Sequence, residues 1–89
     1  MKYEVIWSVV AKKDLDQLGK LLAQRVVEKV HQYAASPNPM RFAKNLAGNL
    51  KGYYRFRVGK YRVIFEKEMY GKLTLLLVLS VDKRDEAYF

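Results

Sequence analysis

The side chains of this sequence that could do chemistry are cationic and phenolic. Arg55, Arg57 and Arg62 lie in the stretch Leu50 to Phe65, LKGYYRFRVGKYRVIF, and Lys83, Arg84 and Tyr88 follow near the C-terminus. Guanidinium forks bind phosphate oxygens two at a time. Such a set can hold a phosphodiester and stabilise extra negative charge on its transition state without a metal. Other chemistries find little support. His31 is the only histidine and has no Cys, Asp or His at i+4, so it reads as a surface or boundary residue, not a metal ligand. A Ser-His-Asp triad would need the same histidine. No Walker loop or GxGxxG occurs. Cysteine is absent, so there is no thiol chemistry and no disulfide. Glu66 could serve as a general base, but it sits in a strand pattern with no partner carboxylate in view. Neither a metal nor a cofactor is expected.

A β-hairpin must position the arginines. Tyr54, Phe56 and Val58 alternate with Arg55 and Arg57, and Tyr61, Val63 and Phe65 alternate with Arg62 and Ile64. Gly59-Lys60 between them is a two-residue turn signal, with Gly first as a type II′ turn asks. That turn sets Val58 against Tyr61, Arg57 against Arg62, and Phe56 against Val63. Directly paired residues share a sheet face, so Arg55, Arg57 and Arg62 emerge together. Like charges paired across strands are destabilising. One explanation is a solvated face whose charges aid solubility. The other is a site for a phosphate-bearing polymer.

Composition supports the second. The chain has 89 residues, is 51% apolar and carries a net charge of +8. It reads as one domain spanning residues 1–89, with a modest core. The charge favours an anionic partner such as nucleic acid or an acidic protein. It is concentrated between Arg41 and Lys67, where Arg41, Lys44, Lys51, Arg55, Arg57, Lys60, Arg62 and Lys67 face a single acid, Glu66. The N-terminal MKYEVIWSVV has no apolar run long enough for a signal peptide, and no stretch could span a bilayer. A cytoplasmic location without membrane contact is the expectation.

The rest of the chain supplies the scaffold. Lys2 to Trp7 reads as the first strand, and Ser8 as a helix N-cap. Ala11, Leu15, Leu18 and Leu22 recur at helical spacing. Gly19 marks a break, and Leu22, Val26, Val30 and Tyr33 form a second stripe reaching about Ala35. Ser36-Pro37-Asn38-Pro39 stops that helix. Phe42 and Leu46 are expected to anchor the segment that follows. Glu68 to Gly71 reads as a turn, and Lys72 to Val81 as a third long strand, apolar on both faces and so central and doubly covered. The expected core is Leu15, Leu18, Leu22, Val26, Val30, Phe56, Val63, Leu75 and Leu77. The fold class is α+β: a small twisted, mainly antiparallel sheet with an N-terminal helical hairpin on one face, in the order β-α-α-β-β-β.

This order, the segment LAGNLKGYYRFRVGKYRVIF from Leu46 to Phe65, and the closing VDKRDEAYF from Val81 to Phe89 together resemble the RelE/ParE superfamily of bacterial and archaeal toxins. The resemblance covers nearly the whole chain and implies the RelE-like fold. It further implies the toxin of a type II toxin–antitoxin pair. RelE-like members are mRNA endoribonucleases that cut in the ribosomal A site without metal. There the ribose 2′-hydroxyl attacks the adjacent phosphate and leaves a cyclic phosphate end. ParE-like members instead poison DNA gyrase and cut nothing themselves, and a catalytically degenerate relative is a third possibility.

Carried over residue by residue, Arg57, Arg62, Arg84 and Tyr88 are the candidate catalytic residues. Lys51, Arg55, Lys60 and Lys83 are the candidate RNA- or phosphate-binding residues. By resemblance the basic set binds phosphate, one member supplies the leaving-group proton, and the tyrosine orients or stacks on a base. Position 57 departs from the pattern, because some active members carry lysine there as the base. Arginine keeps its proton, with a pKa above about 12. The base is then unassigned; the candidates are a lysine such as Lys51 or Lys83, or ribosomal RNA itself. The implied partners are mRNA in the ribosomal A site and a cognate antitoxin with an acidic, partly disordered segment; gyrase is a partner only under the ParE-like alternative.

Overall fold

Two helices cover one face of a five-stranded sheet. The computed structural model describes residues 2–83, so Arg84 and Tyr88 lie outside the described residues. The elements are β1 (Lys2–Trp7), α1 (Val9–Leu18), α2 (Lys20–Ala34), β2 (Ala43–Asn45), β3 (Tyr54–Val58), β4 (Tyr61–Tyr70) and β5 (Leu73–Lys83). Strand order is β1-β5-β4-β3-β2. β1 runs parallel to β5, and the other neighbours are antiparallel. This is the expected α+β arrangement with one addition, β2. Three residues between the 3₁₀ turns at Pro39–Phe42 and Gly48–Leu50 are too few to show a strand period.

Local chemistry explains the helix boundaries. Ser8 Oγ accepts the Ala11 amide at 3.0 Å, capping α1. Gly19 at φ +86° separates the helices, a conformation that is strained for a residue with a Cβ. β4 runs on through Tyr70, past the turn expected from Glu68, and reverses only at Gly71.

The core sits between the helices and the inner sheet face. Phe56, Phe65, Val63, Leu76, Val78, Val26, Val30 and Ala11 are buried there, with Tyr3, Val5 and Trp7 of β1 packed alongside. Rings link the layers. Tyr33 of α2 stacks on Phe42 at 4.6 Å and meets Phe56 at 5.1 Å, and Phe56 stacks on Phe65 at 4.5 Å.

Four of the expected core residues are corrected. Leu75 and Leu77 are only half-buried, because β5 turns Thr74, Leu76 and Val78 inward. The helices cover only that inner face, so β5 is central without being doubly covered. Leu22 is 39% exposed, because its stripe on α2 runs past the sheet to the hairpin tip. Leu18 is half-buried at the end of α1. Phe42 does anchor its segment, by stacking on Tyr33, yet remains partly exposed.

Candidate anion-binding face

The hairpin register is the expected one: Val58 opposes Tyr61, Arg57 opposes Arg62, and Phe56 opposes Val63. Gly59 has φ +58°, and among the described residues no non-glycine residue has positive φ. A type I′ turn would need positive φ at Lys60 too, so the turn follows the II′ pattern. Tyr33 Oη donates to the Arg57 carbonyl at 3.4 Å, tying α2 to the strand that carries this arginine.

Side-chain alternation puts Arg55, Arg57 and Arg62 on the sheet face away from the helices. Their settings differ. Arg57 is exposed, Arg55 is half-buried, and Arg62 is only 7% exposed. Arg62 is therefore enclosed by the sheet and not solvated like Arg57. Arg62 sits on β4 between β3 and β5, where neighbours flank it on both sides.

Two residues join this face that the sequence reading did not include. Lys44 pairs with Arg55 across β2 and β3, and Asp82 pairs with Arg62 across β4 and β5. Register sets the Asp82 carboxylate across the strand pair from Arg62, on the same face. The signal for Lys44 was its place in the basic run; its strand was too short to read. Other candidates are not brought here. Lys83 pairs with Tyr61 and so shares the opposite face. Lys60 occupies the turn, beside Leu22 and Val26 of α2. Lys51 is exposed in the loop before β3.

A bulge in β5 decides which side Asp82 takes. Ile64 pairs with Ser80 but Phe65 pairs with Val78, leaving Leu79 as the extra residue. Thr74, Leu76 and Val78 face inward before the bulge; Val81 does so after it, and Asp82 turns out beside Arg62. The start of α1 satisfies the polar groups at this irregularity. The Ser8 amide donates to the Val78 carbonyl at 3.0 Å, and Ser8 Oγ donates to the Leu79 carbonyl at 3.0 Å. Asp14 Oδ2 accepts the Val81 amide at 2.9 Å. Ser80 Oγ donates to Asp82 Oδ2 at 3.2 Å.

Asp14→Ala would leave the part-buried Val81 amide without that acceptor. Its expected cost is about 1–3 kcal/mol, the penalty for an orphaned donor. Asp14→Asn keeps an acceptor oxygen and should lose less. Urea denaturation of the three proteins checks this, and equal midpoints for all three would show that the clamp holds nothing.

Elsewhere, Tyr70 Oη donates to Glu68 at 3.2 Å, and that carboxylate raises the phenol's pKa above its ordinary value by charge repulsion with the phenolate and by the hydrogen bond. His31 is exposed and stands 3.5 Å from the Trp7 indole nitrogen. Among the described residues no group of three or more His, Cys, Asp or Glu is placed to hold a metal ion, and no helix is long and apolar enough to cross a membrane.

Comparison with known proteins places the molecule. The family described as "ParE toxin of type II toxin-antitoxin system, parDE" matches residues 5–88. The chain belongs to this toxin family. Toxin RelG of Mycobacterium tuberculosis is 31% identical over 88 residues, covering 99% of this chain and 98% of that protein. The fold of this RelE/ParE-type toxin is similar to that in the toxin–antitoxin complex RelBE2 of M. tuberculosis, with TM-score 0.68, 28% identity and coverage of 94% of this chain and 100% of the other. It is also similar to the archaeal RelE–RelB complex of Pyrococcus horikoshii, with TM-score 0.62, 28% identity and coverage of 94% and 97%.

Proposed function

We propose that this toxin is a ribosome-dependent endoribonuclease that cuts mRNA in the A site without a metal, and that a cognate antitoxin with an acidic, partly disordered segment restrains it. The observation that carries the reading is the cationic group on the outer sheet face: Lys44, Arg55, Arg57 and Arg62 from three adjacent strands, with Asp82 at its edge. The similarity to RelG and to the RelE chains of two toxin–antitoxin complexes also supports it. Its place of action is the cytoplasm, where ribosomes and mRNA meet.

In the reaction, the ribose 2′-oxygen forms a bond to phosphorus and gives its proton to a base. The bond from phosphorus to the 5′-oxygen breaks, and that oxygen takes up a proton. A 2′,3′-cyclic phosphate and a 5′-hydroxyl result. Arg57 is exposed and can approach the phosphate directly. Arg62, held between two strands, offers a fixed guanidinium whose field acts where charge accumulates. Both stay protonated, so neither accepts the 2′-proton. Lys83 lies on the other face and Lys51 in a separate loop, while Lys44 and Glu66 share the arginine face, so the acceptor is one of these two side chains or ribosomal RNA, with the ribosome aligning the reacting atoms.

The family description favours a second reading, a ParE-like gyrase poison. Induction of the protein followed by mapping of new RNA 5′ ends and of gyrase-linked DNA breaks separates the two. Codon-phased RNA ends without DNA breaks are expected; breaks without RNA ends would transfer the assignment to gyrase. Growth should stop on induction and resume when the neighbour-encoded protein is co-expressed. Harmless expression, with no binding by that protein, would remove the toxin-pair assignment for this chain.

A further inference from the structure

The outward side of β4 carries a carboxylate beyond the arginines. Glu66 follows Arg62 and Ile64 in the outward set, so it shares their side of the sheet. It pairs with Leu77 of β5. On its other side the hairpin register runs on to Tyr53, one residue before β3. Tyr54 pairs with Phe65, and the Leu46 amide donates to the Tyr53 carbonyl at 3.0 Å, which continues the β2–β3 ladder. Tyr53 therefore stands across from Glu66 on one side, as Leu77 does on the other. All three are half-buried. Among the described residues the Glu66 carboxylate makes no ion pair and no hydrogen bond. It is an acceptor held between an aromatic ring and a leucine, the kind of placed polar group that orients a ligand in an apolar site.

We propose that Tyr53 and Glu66 form a nucleobase subsite that selects among codons. The inference rests on the nuclease reading above and adds the base-reading element that the arginines lack. The Tyr53 ring stacks on a base, and the Glu66 carboxylate accepts N–H groups from that base's edge. Phosphate contacts fix position but carry no sequence, so a reader must lie off the backbone track. A carboxylate is repelled by phosphate, which sets it among base edges. Ionised, it only accepts. Guanine suits it best, because its Watson–Crick edge places N1–H beside the 2-amino group as two parallel donors. Uracil offers a single imino donor. Position agrees. Arg55 opposes Ile64 and lies diagonally between Arg62 and Glu66, so a cation lines the way from one to the other. Glu66 is four residues along β4 from Arg62, about 13 Å at the usual strand rise. A proton acceptor must come within about 3 Å of the 2′-oxygen beside the phosphate. With the phosphate at Arg57 and Arg62, that spacing suits the base of an adjoining nucleotide better than the 2′-proton.

The test is single-turnover cleavage on ribosomes programmed with mRNAs that differ in one A-site base. Wild-type protein should favour guanine at one fixed position from the cut. Replacing that guanine by inosine, which lacks the 2-amino group, should slow it. Glu66→Gln keeps the side chain's shape but exchanges one acceptor oxygen for a donor. It should lower the guanine-to-uracil ratio of cleavage rates by about 10- to 100-fold, the scale of one bidentate base contact. It should also bring guanine and inosine to equal rates. Tyr53→Ala should slow cleavage at every base by about 10-fold or more, the scale of one base stack. Tyr53→Phe, which keeps the ring, should lose far less. A denaturation midpoint for each variant shows that it is folded. An unchanged base ratio in folded Glu66→Gln protein overturns the proposal. So does an equal loss on every base; an altered pH–rate profile would then mark Glu66 as the 2′-proton acceptor. Failure of the wild-type protein to cut any programmed mRNA overturns the nuclease reading itself, and that result is visible before any variant is made.

Discussion

Phe56→Ala is expected to lower folding stability by about 3–5 kcal/mol, the cost of emptying a buried aromatic site. Phe56 is fully buried at the centre of β3, paired with Val63 on one side and Ala43 on the other. Its ring lies 4.5 Å from Phe65 and 5.1 Å from Tyr33, so it joins the sheet to α2. Alanine would remove both ring contacts and leave a cavity lined by a strand backbone that is hydrogen-bonded on both edges. Such walls collapse little, which puts the cost at the upper end. A chain of this length has a total stability of roughly 4–13 kcal/mol, so the variant could be largely unfolded at 37 °C. Urea denaturation should show a lower midpoint at unchanged slope. A loss below about 1 kcal/mol would mean that the inner and outer faces of the hairpin have been exchanged.

The hairpin was legible because three independent signals agreed: Gly at the first turn position, strict alternation on both sides, and charge confined to one set of alternating residues. β5 was harder for a physical reason. Leu73, Leu75, Leu77 and Leu79 alternate with Leu76 and Val78, so either set could face the core, and periodicity could not choose. The choice is made by tertiary structure. The bulge at Leu79, held by Ser8 and Asp14 more than sixty residues earlier in the chain, sets which residues face inward on each side of it. A bulge that distant side chains satisfy leaves no local pattern in the strand that contains it.

The candidate site was partly legible for the same reasons. Arg55, Arg57 and Arg62 could be placed together from one two-residue turn. Arg62's burial could not be foreseen, because it follows from β5 closing the far edge of β4, a pairing outside the hairpin. Lys60 and Lys83 were grouped with the arginines by charge alone, but charge along a sequence carries no face. The turn and the β4–β5 register place them elsewhere.

Arg57 and Arg62 should therefore respond differently to the same substitution. Arg57→Ala removes an exposed guanidinium, and surface changes of this kind usually stay within about ±0.5 kcal/mol. If Arg57 binds the reacting phosphate, single-turnover cleavage of mRNA on programmed ribosomes should fall by ~10²–10³-fold, the scale for losing one transition-state donor. Arg62→Ala should lower cleavage on the same scale and also lower stability. It vacates a position between β3 and β5 and takes away the cation beside Asp82. Arg62→Lys tests charge against geometry. A lysine keeps the positive charge but has no planar fork, so it should recover more stability than activity if two-point contact to phosphate matters. Circular dichroism and a denaturation midpoint for each variant separate lost folding from lost chemistry. Full-rate cleavage by a folded Arg57→Ala protein together with a folded Arg62→Lys protein would remove the arginine face from the reaction. Growth arrest persisting in those same variants would then point to a target reached without this face, and the gyrase reading would take precedence.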